Sequence, residues 1–148
     1  MSLESQVMEA MKVAMKAKDT VTLEALRAVK SAILLAKTSG SEGDLKEADE
    51  MSLLQRLVKQ RRDSAAIYQQ QQRADLADPE LAQVAVIEQF LPKQLSEVEV
   101  EAAIKPIVAR LGASSIKDMG KVMGEASKEL AGKTDGKTIS LIVKKLLS

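Results

Sequence analysis

The stretch Glu88-Gln89-Phe90-Leu91-Pro92-Lys93-Gln94-Leu95-Ser96 decides how the chain is built. It holds the only Phe, and a Pro between two apolar-periodic segments. A proline pushes the residue before it out of the α region, so a helix running up to Phe90 is expected to stop at about Leu91. Ser96 then starts the next helix. Glu99 three residues on completes a capping box, and Leu95 and Val100 stand where a hydrophobic staple needs them. The stretch reads as a stiff joint between an N-terminal helical domain, residues 1–92, and a smaller C-terminal three-helix domain, residues 93–148.

Working back from the joint, Asp78-Pro79-Glu80 reads as a helix start, with Pro in the first turn and acid at the positive end of the dipole. Leu81, Val84, Ile87 and Leu91 follow as the core face. Before that, residues 45–73 form the longest helix, with Met51, Leu54, Leu57, Val58, Ala65 and Tyr68 on one side. A second helix, capped by Asp19 or Thr20, carries Leu23, Leu26, Val29 or Lys30, Ile33 and Ala36, and the Thr38-Ser39-Gly40-Ser41-Glu42-Gly43 run ends it. Residues 3–17 place Leu3, Val7, Met8, Met11, Ala14 and Met15 at helical spacing. The short link at residues 18–20 makes these first two helices an antiparallel pair, and the three Met residues read as core filler rather than as an adaptable groove.

Downstream of the joint, Val100, Ile104, Ile107, Val108 and Leu111 form a stripe ending at Gly112, a good residue beyond a C-cap. Pro106 inside it is expected to kink the helix near Ala102 and Ala103. A further helix opens at Ser114 or Ser115 and carries Met119, Val122, Met123, Ala126 and Leu130. The last, capped by Thr134 or Asp135, buries Ile139, Ile142, Val143 and Leu146. No strand pattern and no repeat stands out, so the fold class is all-α.

Composition agrees. Hydrophobic residues make up 45% of the 148 but aromatics only 1%, Tyr68 and Phe90, so the core is to be built from Leu, Val, Ile, Ala and Met. There is no Cys and no His, which removes disulfides, thiol nucleophiles, thiolate or imidazole metal sites and any Ser-His or Cys-His pair. No cofactor and no metal site is expected. Residues 1–18 are broken by Glu4, Glu9, Lys12 and Lys16, so neither a signal peptide nor a spanning segment reads there, and a cytoplasmic address is the default. Net charge is +1, but residues 1–92 carry 12 Lys and Arg against 14 Asp and Glu, and residues 93–148 carry 10 against 7. Nucleic acid is permitted by that asymmetry, not indicated.

Four constellations bear on function. Lys59, Arg61, Arg62 and Arg73 crowd the end of the third helix, where a solvated face is the better reading because no aromatic interleaves them to stack a base. Lys117, Lys121, Gly124 and Lys128 are three or four apart and share one helix face. Gly120 and Gly124 form a G-x-x-x-G, a pattern that usually marks close helix approach. Gly132-Lys133-Thr134-Asp135-Gly136-Lys137-Thr138 ends like a phosphate loop, but the first Gly of that motif would stand at position 131, which is Ala131, and no strand precedes it. Nucleotide hydrolysis is therefore rejected. The lysine face, with Lys133 and Lys137 beside the free N–H groups of a helix start, has the form of a curved row for phosphates. Glu125 and Glu129 nearby argue for a solvated surface instead. Asp118 with Lys117 or Lys121 makes a conceivable acid–base pair, though nothing in the spacing demands one.

Several words together resemble the GatB/YqeY family: Leu57-Val58-Lys59-Gln60-Arg61-Arg62-Asp63-Ser64, Phe90-Leu91-Pro92-Lys93-Gln94-Leu95-Ser96, Gly112-Ala113-Ser114-Ser115, Asp118-Met119-Gly120-Lys121-Val122-Met123-Gly124 and Gly132-Lys133-Thr134-Asp135-Gly136-Lys137. These small helical proteins are similar to the C-terminal region of the B subunit of the glutamyl-/aspartyl-tRNA amidotransferase. The resemblance implies an all-α fold whose C-terminal part contacts tRNA, and it carries Lys117, Lys121, Gly124, Lys128, Lys133, Gly136 and Lys137 over as RNA-facing candidates. It also implies a label of carbon–nitrogen ligase with glutamine as amido donor, although no counterpart of the amidotransferase's catalytic domain is present and no catalytic residue is assigned. The expected function is thus a tRNA- or RNA-binding accessory module. The alternatives are a module docking an amidotransferase or an aminoacyl-tRNA synthetase, and the ligase activity itself.

Overall fold

The structure, a computed structural model, describes residues 2–39 and 45–148. Among these residues there are seven α-helices and no strand, so the protein is all-α. The helices are α1 (Leu3–Ala17), α2 (Thr20–Thr38), α3 (Glu47–Gln70), α4 (Ala74–Glu88), α5 (Glu97–Leu111), α6 (Met119–Glu129) and α7 (Gly136–Leu147), with a 3-10 turn, Ile116–Asp118, before α6. The chain divides into two compact units, Met1–Leu91 and Pro92–Ser148.

In the first unit α1 packs on α2, and α4 packs on both α2 and α3. The turns between helices are set locally. Lys18 takes a left-handed conformation at φ 56°, and the Asp19 N–H donates to the Ala14 carbonyl, closing α1. Asp19 then caps α2 by accepting from the Thr22 N–H at 3.1 Å. Val7, Leu26, Val29, Leu54 and Ile87 are fully buried at the centre. Val29, not Lys30, holds the middle of the α2 stripe, and Leu53, absent from the expected α3 stripe, is buried beside Leu54. The end of α2 is Thr38; the Gly40–Gly43 part of the run expected to stop it lies outside the described residues.

Three expectations for this unit are corrected. Met8 and Met15 are 42% and 53% exposed, because the buried line of α1 runs through Leu3, Val7 and Ala14 and leaves them on its flank, while Met11 is half-buried against the core. The α4 helix begins at Ala74, one turn earlier than the Asp-Pro-Glu signature suggests, so Pro79 lies inside it. The buried residues of α4 are Ala77, Val84, Val86 and Ile87, and Leu81 is exposed. Finally, α4 ends at Glu88 rather than Leu91, and the Gln89, Phe90 and Leu91 N–H groups each donate three residues back as the helix tightens before Pro92.

The second unit is built by α5, α6 and α7, each against the other two. Ser96 caps α5 reciprocally with Glu99: the Glu99 N–H donates to Ser96 Oγ at 3.2 Å, and the Ser96 N–H to Glu99 Oε1 at 3.1 Å. Gly112, at φ 64°, closes α5 in the left-handed conformation where a side chain would be strained. The core here is aliphatic throughout, with Val100, Ile104, Ile107, Val122, Ala126 and Val143 at its centre. Leu111 is exposed rather than part of the stripe, and at the end of α7 Leu147 is buried while Leu146 is half-buried. No helix among the described residues is long and apolar enough to cross a membrane.

Candidate nucleic-acid interface

The candidate residues are placed by the short helix α6 and its two flanks. Val122 and Ala126 point it inward and are fully buried, with Met119 and Met123 half-buried beside them. At 100° per residue, Gly120, Lys121, Gly124 and Lys128 then fall on the opposite side, and all four are exposed. Lys117 is exposed on the 3-10 turn just before. That turn is held by the Ser114 N–H, which donates to Asp118 Oδ2 at 3.0 Å.

Lys133 belongs to the link beyond α6, and the joint segment pins that link. Gln94 Nε2 donates to the Gly132 carbonyl at 2.7 Å and to the Pro92 carbonyl at 2.9 Å. The Leu95 N–H donates to the Lys133 carbonyl at 2.9 Å. Gly132 is at φ 78°, a turn conformation suited to glycine. Gly136 and Lys137 form the first turn of α7 and are exposed. The structure therefore places Lys121, Gly124 and Lys128 on the α6 face with Lys117 on the turn before it, Lys133 in the pinned link, and Gly136 and Lys137 just beyond that link.

Two expectations about these positions change. Gly120 and Gly124 do not mark a close approach of helices: a Cβ built on either would meet nothing within 4 Å. Their face is bare and open. The start of α7, in turn, is not a vacant anion cradle. Asp135 occupies it, accepting the Thr138 N–H at 2.7 Å and setting a carboxylate at the positive end of the dipole. Lys133 and Lys137 thus offer charge beside a helix start where the Gly136 and Lys137 N–H groups stay free but a carboxylate already sits.

The electrostatics favour an anion more than the sequence alone suggests. Among the described residues, Lys117, Lys121, Lys128, Lys133 and Lys137 have no acidic partner within ion-pair distance. Six of the unit's seven acids are committed elsewhere, Glu97 being the exception. Glu99, Asp118 and Asp135 accept backbone N–H groups, and Glu101 faces Lys145 at 3.5 Å. Glu125 and Glu129 both bind Arg110 of α5, at 3.3 and 2.9 Å. The bond to Glu129 raises the guanidinium pKa, with the nearby charges of Glu129 and Glu125 adding to it. The Ser96 backbone N–H, and then its hydroxyl, lower the pKa of Glu99.

The basic cluster of α3 differs on this point. Lys59 pairs with Asp63 at 2.8 Å, Arg62 with Glu88, and Arg73 with Asp75 through two parallel bonds at 3.0 Å. Arg61 donates to Gln83 and to the Leu57 carbonyl. That cluster is spent on the fold, in keeping with its reading as a solvated face.

One basic residue escaped the sequence reading. Lys144 is exposed and unpaired, seven positions after Lys137 and on the same side of α7, with Leu141 61% exposed between them. The spacing of two turns was the available signal. No group of three or more His, Cys, Asp or Glu capable of holding a metal occurs among the described residues. In comparison with known proteins, the family profile described as "Yqey-like protein" matches residues 4–147. No curated protein matches the chain significantly.

Proposed function

The chain belongs to the YqeY-like family, and from that premise we propose that its C-terminal unit is an RNA-binding module, tRNA being the class it serves. The observation that carries this reading is the α6 face, where Lys117, Lys121 and Lys128 stand unpaired around two side-chain-free positions in a unit whose acids are mostly occupied. Unpaired lysines bind phosphates by displacing condensed counterions, a gain that cations already paired within the fold do not offer. Gly120 and Gly124 let a sugar–phosphate backbone come up against the helix itself. Residues 93–148 contain no aromatic, so unstacked single-stranded bases find no platform there. That argues for a structured RNA recognised by its backbone and shape. The likeness to the tRNA-contacting tail of the amidotransferase B subunit makes tRNA the natural class.

A second reading, docking of an amidotransferase or an aminoacyl-tRNA synthetase through the N-terminal helices, is favoured by the exposed Met8 and Met15 on one flank of α1. The ligase label finds less support. Among the described residues, Glu4, Asp19, Asp75 and Glu99 each have a pKa moved down, whereas a general acid working near neutrality needs one moved up.

The test is a titration of the protein into bulk tRNA at two salt concentrations, with an unstructured polyanion alongside. Preference for tRNA with weakening at high salt is the expected result. Equal binding to both anions, or none to either, overturns the reading.

A further inference from the structure

Glu125 stands four residues after Lys121 and three before Lys128, and Glu129 directly follows Lys128. Opposite charges three or four apart on a helix ordinarily meet. Here they do not: Glu125, the acid at that spacing, reaches across with Glu129 to Arg110 of α5, at 3.3 and 2.9 Å. We infer that Arg110 is a positioning residue for the lysine face, drawing Glu125 and Glu129 aside so that Lys121 and Lys128 stay open to phosphate. This rests on the RNA-binding reading above.

Two physical points favour the role over a purely structural one. The three side chains are 55%, 38% and 42% exposed, and ion pairs this open to water add little to stability. An arginine also suits the task better than a lysine, because its planar fork offers several donors at once and can hold two carboxylates. The acids that argue against an anion site on sequence alone are drawn toward α5, with one of their two charges offset by the guanidinium. Without Arg110, Glu125 becomes a competitor of the phosphates for Lys121 or Lys128.

The experiment measures the salt dependence of tRNA binding by the full chain and four variants. Arg110→Met keeps an unbranched apolar side chain and removes the fork. Lys105→Ala removes one exposed, unpaired charge from the same helix and serves as the matched control. Lys121→Ala reports on the face itself, and the triple variant Arg110→Met, Glu125→Gln, Glu129→Gln removes both carboxylates along with their holder. Each lost phosphate contact lowers the magnitude of the slope of log affinity against log salt by about 0.9. Lys121→Ala should therefore lower it by about one and Lys105→Ala leave it unchanged. Arg110→Met should lower it by about one, as Lys121→Ala does, although it removes a charge that touches no RNA. The triple variant should recover at least the parental slope, which a loss of structure would not allow. If Arg110→Met behaves like Lys105→Ala while Lys121→Ala weakens binding, the inference falls and the RNA reading stands. A triple variant that stays as weak as Arg110→Met also overturns it, by making Arg110 a direct contact. If neither Lys121→Ala nor Arg110→Met changes the slope, both fall.

Discussion

Lys59, Arg61, Arg62 and Arg73 in the first unit and Lys117, Lys121, Lys128 and Lys133 in the second are alike in the sequence, each a set of cations near helical spacing with acids interspersed. Folded, they part company. Around α3 and α4 the acids Asp63, Glu88 and Asp75 close on the cations, and Arg61 is bonded to Gln83. Around α6 the acids turn away, to Arg110 or to the backbone of a helix start. Pairing, rather than the count of positive residues, separates a surface that serves its own fold from one with charge left to offer.

The largest expected effect tests that contrast directly. Lys121→Ala with Lys128→Ala should lower the magnitude of the salt slope for tRNA by about two, while Lys59→Ala with Arg62→Ala leaves it unchanged, since their charge is already met. Equal losses from both pairs would erase the distinction between the regions. A smaller effect concerns the bare positions. Alanine in place of glycine at an exposed helix interior stabilises by about 0.5–1 kcal/mol, and at Gly124 the added methyl meets no protein atom. Gly124→Ala should raise the melting temperature and weaken tRNA binding together; a stabilised variant with unchanged affinity would mean the open face is not used. The smallest effect is a matter of pH. The Ser96 hydrogen bonds hold Glu99 below its ordinary value of 4.5. A carboxylate whose pKa is lower in the folded state contributes stability that is full above the unfolded value and is lost as pH falls through the folded one. Glu99→Gln should therefore flatten the fall in melting temperature below about pH 4.5, and an unaltered acid limb would show that the cap's charge does not matter to this unit.

Much of the fold is legible in the chain because its signals are local. Asp19, the Ser96–Glu99 box, Gly112 and Asp135 mark helix ends in the sequence and act there in the structure. The stripes through Val7, Leu26, Ile33, Ile104 and Val143 follow from spacing alone. Misreadings arise where a local cue competes with packing. Pro79 signals a start, yet α4 begins at Ala74 and buries Ala77 in its first turn. Met8 and Met15 fit the period of α1 but lie at the edge of a line already filled by smaller neighbours. The candidate face was legible as a row of residues. Its electrostatic state was not, because Arg110 lies 15 and 19 residues away from the carboxylates it binds.

By itself the sequence determined an all-helical protein with an aliphatic core, most of the places where its helices start and stop, and which residues of α6 share a side. These follow from backbone preferences and from a period of 3.6 residues, and both act over a few positions. Only the tertiary structure decided what that side offers. It left Gly120 and Gly124 facing open space, used Gln94 to pin the loop that carries Lys133, and turned Glu125 and Glu129 toward α5. Charge pairing and open surface depend on which segments meet, and distant segments meet only when the core brings them together.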